Sequence, residues 1–378
     1  MPLGLCSGSS VLESTQSFRL ILYWKSLSVD HKGSEGVISS FLMLTPTTYA
    51  AALLLSILSM ICWGSWANTF KLTKKWRFEL FYFDYAFGVL AAALIAAFTF
   101  GSMGNELSFS DNLLITGKRQ MAMGMAAGGI FNLANMLLVA AISISGLAVA
   151  FPVGIGLALV IGVIWNYILR PAGNPALLFG GAAVVIVAIV VDALAYRNHA
   201  VSSAKGVAKF SVKGLVLSLV SGVLMGSFYP LVEMSRAGEI GLGPYTAAVM
   251  FAIGVVITTF VFNLYFMNLP VEGEPVAFGD YFRGGIKNHL LGLVGGIVWC
   301  SGAIANFTAS SAPPEVNVSP AMSYALGQGA TMISALWGLL VWKEFAGANS
   351  YVKMLLTIMI VLFLLGLGMV SVAPLSGS

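Results

Sequence analysis

"LLLSILSMICWGSW" at residues 53–66 and "LVLSLVSGVLMGSF" at residues 215–228 are copies of one apolar, membrane-length motif. Leu53 aligns with Leu215, Leu55 with Leu217, Ser56 with Ser218, Ser59 with Ser221, Gly64 with Gly226 and Ser65 with Ser227, and Trp66 falls opposite Phe228. A second register pairs Gly124 with Gly292, Gly128 with Gly296 and Pro152 with Pro320. Shared glycines alone would be ordinary close packing of membrane helices. Two registers, 162 and 168 residues apart, that agree in order point to a duplicated unit.

Composition fixes the solvent in which that unit folds. Hydrophobic residues make up 58% of the chain and charged residues 9%, with a mean hydropathy of +0.91. A soluble surface needs about a quarter charged residues, so this is an integral membrane protein. A span needs roughly 20 apolar residues to cross about 30 Å of hydrocarbon. Ten such stretches are predicted, near 50–70, 82–100, 121–142, 146–169, 176–195, 214–234, 245–267, 288–309, 317–342 and 352–373. They are too long for strands and lack period-two alternation, so the fold class is an all-α polytopic bundle.

With ten spans the copies divide into a first repeat, 43–195, a linker, 196–213, and a second repeat, 214–378. Five is odd, so the repeats must cross the membrane in opposite senses, the arrangement of carriers that rock about a midplane site. Residues 1–42 are Ser-rich with mixed charges and no long apolar run, and are expected to be a disordered tail or an upstream extension without a transport role. Pro46 suits the first turn of the first span.

Basic residues remain in the cytoplasm. Lys71, Lys74, Lys75 and Arg77 follow span 1, Arg197, Lys205, Lys209 and Lys213 follow span 5, and Arg283, Lys287, Lys343 and Lys353 follow spans 7 and 9. Loops after even-numbered spans hold only Lys118, Arg119, Arg170 and Arg236. This predicts both termini outside and the central linker in the cytoplasm, in a multi-pass protein of the cytoplasmic membrane.

No Lys or Arg falls near the middle of a predicted span. An anionic solute would need such groups to replace its hydration, so the expected substrate is small, polar and neutral. Candidate binding groups are Ser65, Asn68, Asn132, Asn135, Ser227, Tyr324 and Gln328, whose donors and acceptors match a sugar or ureide edge. Trp63, Trp66, Phe228, Tyr229 and Trp299 offer flat faces. Tryptophans near span ends also serve as interfacial anchors, and amides within spans also join helices. Gly64, Gly226, Pro152 and Pro320 are expected to shape the cavity or its gates. Asp84, at the start of span 2, and Glu233, toward the outer end of span 6, are the acids expected to carry coupling, with Asp192, Glu315 and Glu344 assigned to the interfaces.

Cys6, Cys62 and Cys300 form neither a disulfide framework nor a metal motif, and no cofactor or metal is expected. An enzyme would need clustered catalytic residues, and the duplication favours a carrier over a channel. Nucleic acid is not an expected partner; the partners are the solute and the bilayer.

"CWGSWANTFKL" in span 1, "FYFDYAFG" in span 2 and "WGLLVWKEF" closing span 9 resemble the drug/metabolite transporter superfamily, in its ten-span branch of ureide permeases and glucose/ribose and rhamnose uptake proteins. The resemblance runs from about Leu53 to the end of span 10. It implies an inverted five-plus-five bundle, alternating access and drive from a proton or Na+ gradient, with sugar or ureide/nucleobase uptake as the activity and metabolite or drug export as the alternative. The short linker resembles a bacterial-type member.

Overall fold

The computed structural model describes residues 45–73, 76–103, 107–145, 147–202, 211–270, 273–313, 316 and 318–376. The expected tail, residues 203–210 of the linker, Lys74, Lys75 and Glu315 lie outside the described residues.

Among the described residues, ten helices are long and apolar enough to cross a membrane: Tyr49–Lys71, Phe78–Phe98, Lys118–Ser145, Val149–Leu169, Pro175–Val201, Val212–Arg236, Pro244–Asn268, Ile286–Ser310, Pro320–Val341 and Ser350–Leu375. They are spans 1 to 10 below. The protein is an all-helical, multi-pass membrane protein. Span 1 starts later than Pro46 suggests: Thr48 is the N-cap, its hydroxyl accepting from the Ala51 amide at 3.2 Å. Span 5 runs on as helix to Ser202, beyond the expected end at 195. Asp192, expected at an interface, has nine further residues of that span after it, up to Val201.

Lipid tails are as apolar as leucine, so close backbone approach rather than water exclusion holds these helices together. A Cβ at Gly88 would overlap the Leu293 carbonyl, and one at Gly296 the Tyr85 carbonyl, which locks span 2 against span 8. Gly254 meets the Met125 carbonyl and Gly128 the Phe251 carbonyl in the same way, locking span 7 against span 3. Asn132, fully buried, fastens the second pair by donating to Thr258 Oγ1 at 2.9 Å and Thr259 Oγ1 at 3.1 Å.

Other contacts exchange likewise. Gly64 packs against Ala330 and Ile333 of span 9, and Gly226 against Ala158 and Ile161 of span 4. Trp66 packs on Tyr85 at 4.9 Å between ring centroids, and Phe228 on Phe251 at 5.9 Å. The exchange of partners between spans 1 to 5 and spans 6 to 10 is consistent with inverted halves.

Two spans are interrupted. Span 1 consists of helices Tyr49–Ser65 and Ala67–Lys71, joined at Trp66. Span 9 consists of Pro320–Gly327 and Ala330–Leu336, followed by a π-helical turn at Trp337–Val341. At its break, i to i−3 bonds replace the α-helical ladder: Gly329 N to Leu326 O at 3.0 Å, Thr331 N to Gln328 O at 3.3 Å and Met332 N to Gly329 O at 3.0 Å. Pro320 starts span 9, with Ser319 as N-cap, whereas its sequence match Pro152 sits inside the helix of span 4.

Candidate substrate cavity

At the centre of the bundle the rings of Phe131 and Trp299 lie 4.3 Å apart. Phe251 stacks on Trp299 at 5.6 Å, Trp63 stacks on it at 5.9 Å, and Phe228 packs edgewise on Phe131 at 5.3 Å. Phe131 and Trp299 are partners in the register that pairs Gly128 with Gly296. That register could have revealed Phe131 as well as Trp299.

Above this aromatic floor is a cavity of about 360 Å3, within the ordinary range for small-molecule sites. Its wall comes from Trp63, Gly64, Trp66, Ala67 and Phe70 of span 1, Phe78 of span 2, Asn135 and Ile142 of span 3, Phe151 and Ile155 of span 4, and Gly327, Gln328, Thr331 and Ser334 of span 9. These are the end of span 1, the start of span 2, the end of span 3 and the start of span 4. The cavity therefore lies toward the membrane face bearing the loop around residues 72–77. A second cavity of about 260 Å3, bordered by Arg77, Glu79 and Asn263, adjoins it and shares Phe78 and Val139.

The main cavity's lining holds no acid and no base. Its polar groups are amides and hydroxyls. Asn135 is held by its Nδ2 donating to the Tyr82 hydroxyl at 3.1 Å. Gln328, 9% exposed, bonds the protein through its main chain: its amide donates to Tyr324 O at 3.1 Å and its carbonyl accepts from Thr331 Oγ1 at 3.0 Å. The break in span 9 thus brings a side-chain amide to the cavity wall. No proline marks that break, so it is not legible in the sequence.

Of the candidate residues, the structure brings Trp63, Gly64, Trp66, Asn135, Phe228, Trp299 and Gln328 together around one cavity. The others lie elsewhere. Ser65 accepts from Trp337 Nε1 at 2.9 Å, and Asn68 Oδ1 accepts from Trp342 Nε1 at 2.5 Å, which ties span 1 to span 9. Asn132 holds spans 3 and 7. Ser227 bonds back to Val223 O at 2.6 Å. Tyr324 lies behind the wall, donating to Ala158 O at 3.2 Å and Met225 O at 3.3 Å. Thr331 and Ser334, which the sequence did not single out, line the cavity.

Asp84 lies in the second turn of span 2 and does not cap the helix. Its carboxylate accepts from Tyr281 OH at 2.7 Å and pairs with His289 Nδ1 at 2.8 Å. Tyr281 belongs to the 3-10 turn Phe278–Arg283 between spans 7 and 8, and its phenol is pushed above its usual range by burial first and by Asp84 second. Glu233 pairs with Arg236 at 2.7 Å and accepts from Ser310 Oγ at 2.9 Å. Arg236 also reaches Ser311 Oγ, and Arg170 donates to Ser310 O at 3.1 Å and Ala312 O at 3.3 Å. These groups close the face opposite the cavity, where Asn112 also bridges Gly241 O at 3.2 Å and the Gly243 amide at 2.9 Å.

The family signature of ureide permeases matches residues 81–214. Ureide permease 1 of Arabidopsis thaliana is 23% identical over 377 residues, covering 82% of this chain and 93% of its own length. Ureide permease 2 of the same plant is 23% identical, covering 83% and 94%, and ureide permease 3 is 25% identical, covering 68% and 86%. These relatives are named permeases, not enzymes. A solved structure described only as "Crystal structure of protein" aligns with a TM-score of 0.58 at 17% identity over 85% of this chain and 96% of its own, a likeness of fold. Along most of its length, then, this membrane protein is similar to plant ureide permeases.

Proposed function

We propose that the protein is a carrier for a small, neutral, planar ureide or nucleobase, which binds in the cavity between spans 1, 3, 4 and 9. The observation that carries this reading is the cavity wall: flat aromatic rings and amide side chains, with no ionisable group. A ureide presents N–H donors and carbonyl acceptors in one plane, and Asn135 and Gln328 can each supply both complements. The rings of Trp63, Trp66 and Trp299 supply apolar contact to the heterocycle. A phosphorylated or otherwise anionic solute would lose its hydration there without a counter-charge.

The basic loop residues favour the cytoplasm for the cavity face, so the conformation is inward-facing, with Arg236, Glu233 and Arg170 closing the outer side. Transport is by alternating access of two inverted halves, coupled to a proton gradient, across the cytoplasmic membrane.

Binding of allantoin, uracil, xanthine, glucose and rhamnose to the purified protein, followed by calorimetry, tests the substrate class. Allantoin or an oxo-heterocycle should bind and the sugars should not. Gln328→Ala should weaken that binding by about tenfold, the effect of losing one or two hydrogen bonds in a desolvated site. Binding of sugars alone, or an unchanged affinity in Gln328→Ala, would refute this reading.

A further inference from the structure

A carboxylate inside a membrane span is expensive, and its presence calls for a partner or a task. Asp192 of span 5 lies nine residues before the span's end at Val201, about 13 Å along the helix. It is 5% exposed, and its Oδ1 has no hydrogen-bond partner. Neither the substrate cavity nor the outer closure uses it.

Among the described residues, the acid tied to this part of span 5 is Glu344, which accepts from the Tyr196 hydroxyl. Glu344 is positioned by its surroundings. Lys343 before it holds a left-handed backbone at φ 51, the Glu344 amide donates to Gly338 O at 2.9 Å, and a Cβ at Gly338 would crowd Glu344 Oε2 and the Tyr196 hydroxyl. Tyr196, one turn beyond Asp192 on the same helix face, donates to Glu344 Oε2 at 2.8 Å. Lys71 pairs with Glu344 Oε1 and lies 4.5 Å from the centre of the Trp342 ring.

The other groups around Asp192 do not neutralise it. Span 4, packed against span 5, contains no acid or base. Span 10, also packed there, has Tyr351 and Lys353 in its first turn, both exposed. On span 5 itself Arg197 is exposed, and the His199 ring packs against Phe345 at 5.3 Å. The cluster thus sets two carboxylates against one lysine. Among the described residues of this cluster, one bound proton balances that charge.

We propose that Asp192 and Glu344 form a proton-binding pair. On the Lys71 side a hydronium ion gives its proton to one of the two carboxylates, its own O–H bond breaking as the carboxyl O–H bond forms, and the proton leaves by the reverse step. Its titration belongs to the pair rather than to either residue. The site also bears on span 1. Lys71 ends the short helix that follows the break at Trp66, and Ser65 and Asn68 fasten that segment to Trp337 and Trp342. Protonation of Glu344 weakens its hold on Lys71 and so removes one of the ties on the segment that follows Trp66 of the cavity wall. This coupling rests on the carrier reading; the proton site does not.

Infrared difference spectra of the purified protein between pH 8 and pH 5 test the site through the carbonyl stretch of a protonated carboxyl. The wild type should gain such a band, which Asp192→Asn and Glu344→Gln should each remove or shift. Lys71→Gln removes the competing positive charge and should move proton uptake upward by about one pH unit, an effect a misfolded variant would not mimic. A wild-type band in both carboxamide variants, no displacement in Lys71→Gln, or a spectrum that responds to Na+ instead of pH would overturn the proposal. Because the readout needs no substrate, a failure of allantoin transport would refute the carrier reading while leaving the proton site standing.

Discussion

Asp84 illustrates how a single side chain takes its role from partners distant in the chain. It meets Tyr281 and His289 across an interface of spans 2 and 8, and the Trp76 ring packs edgewise on His289 at 5.6 Å. Asp84→Asn and His289→Ala should each lower the melting temperature, and a double-mutant cycle should show a coupling of about 1 kcal/mol or more, as for residues sharing a buried network. Additive effects would mean that the pair is not an energetic unit. The sequence marked Asp84 as unusual, since few acids occur in spans, but its partners are more than 190 positions away and only folding brings them together. Trp66 and Phe228 were legible because each repeat carries one. Ser65 and Asn68 were legible as polar but not as to direction: both turn toward the tryptophans of span 9.

At the scale of elements, the apolar runs revealed where the helices lie, because nothing else crosses hydrocarbon with its backbone satisfied. Tyr196–Ser202 reads as polar linker yet continues the helix of span 5, so Asp192 has more than two further turns of helix after it. The break in span 9 went unseen because Gln328 and Gly329 are compatible with helix. Its role can be tested at Gly329, where a Cβ would press on Met60 Sδ and the Leu326 carbonyl. Gly329→Ala should leave the detergent-purified protein monodisperse but reduce solute binding by about tenfold, measured by calorimetry, because displacing the Gln328 amide removes a directed contact worth about 1.4 kcal/mol. Unchanged binding would mean that the break has no part in recognition.

At the scale of the whole molecule, one face is tied together by Arg236, Glu233, Arg170 and Asn112, while the cavity lies toward the other. In a carrier the closure must open in turn. Arg236→Gln leaves Glu233 without its cation, so a cysteine placed at Phe228 should become reactive from the outer face toward a membrane-impermeant thiol reagent, several-fold faster than with Arg236 intact. Equal rates would show that these side chains do not hold the face shut. The most direct measurement of the central claim is entrance counterflow in proteoliposomes loaded with unlabelled allantoin and diluted into labelled allantoin. A carrier with a site exposed alternately to each side predicts a transient accumulation of label above equilibrium. A monotonic approach to equilibrium, as through a channel, or no entry of label at all, would contradict it.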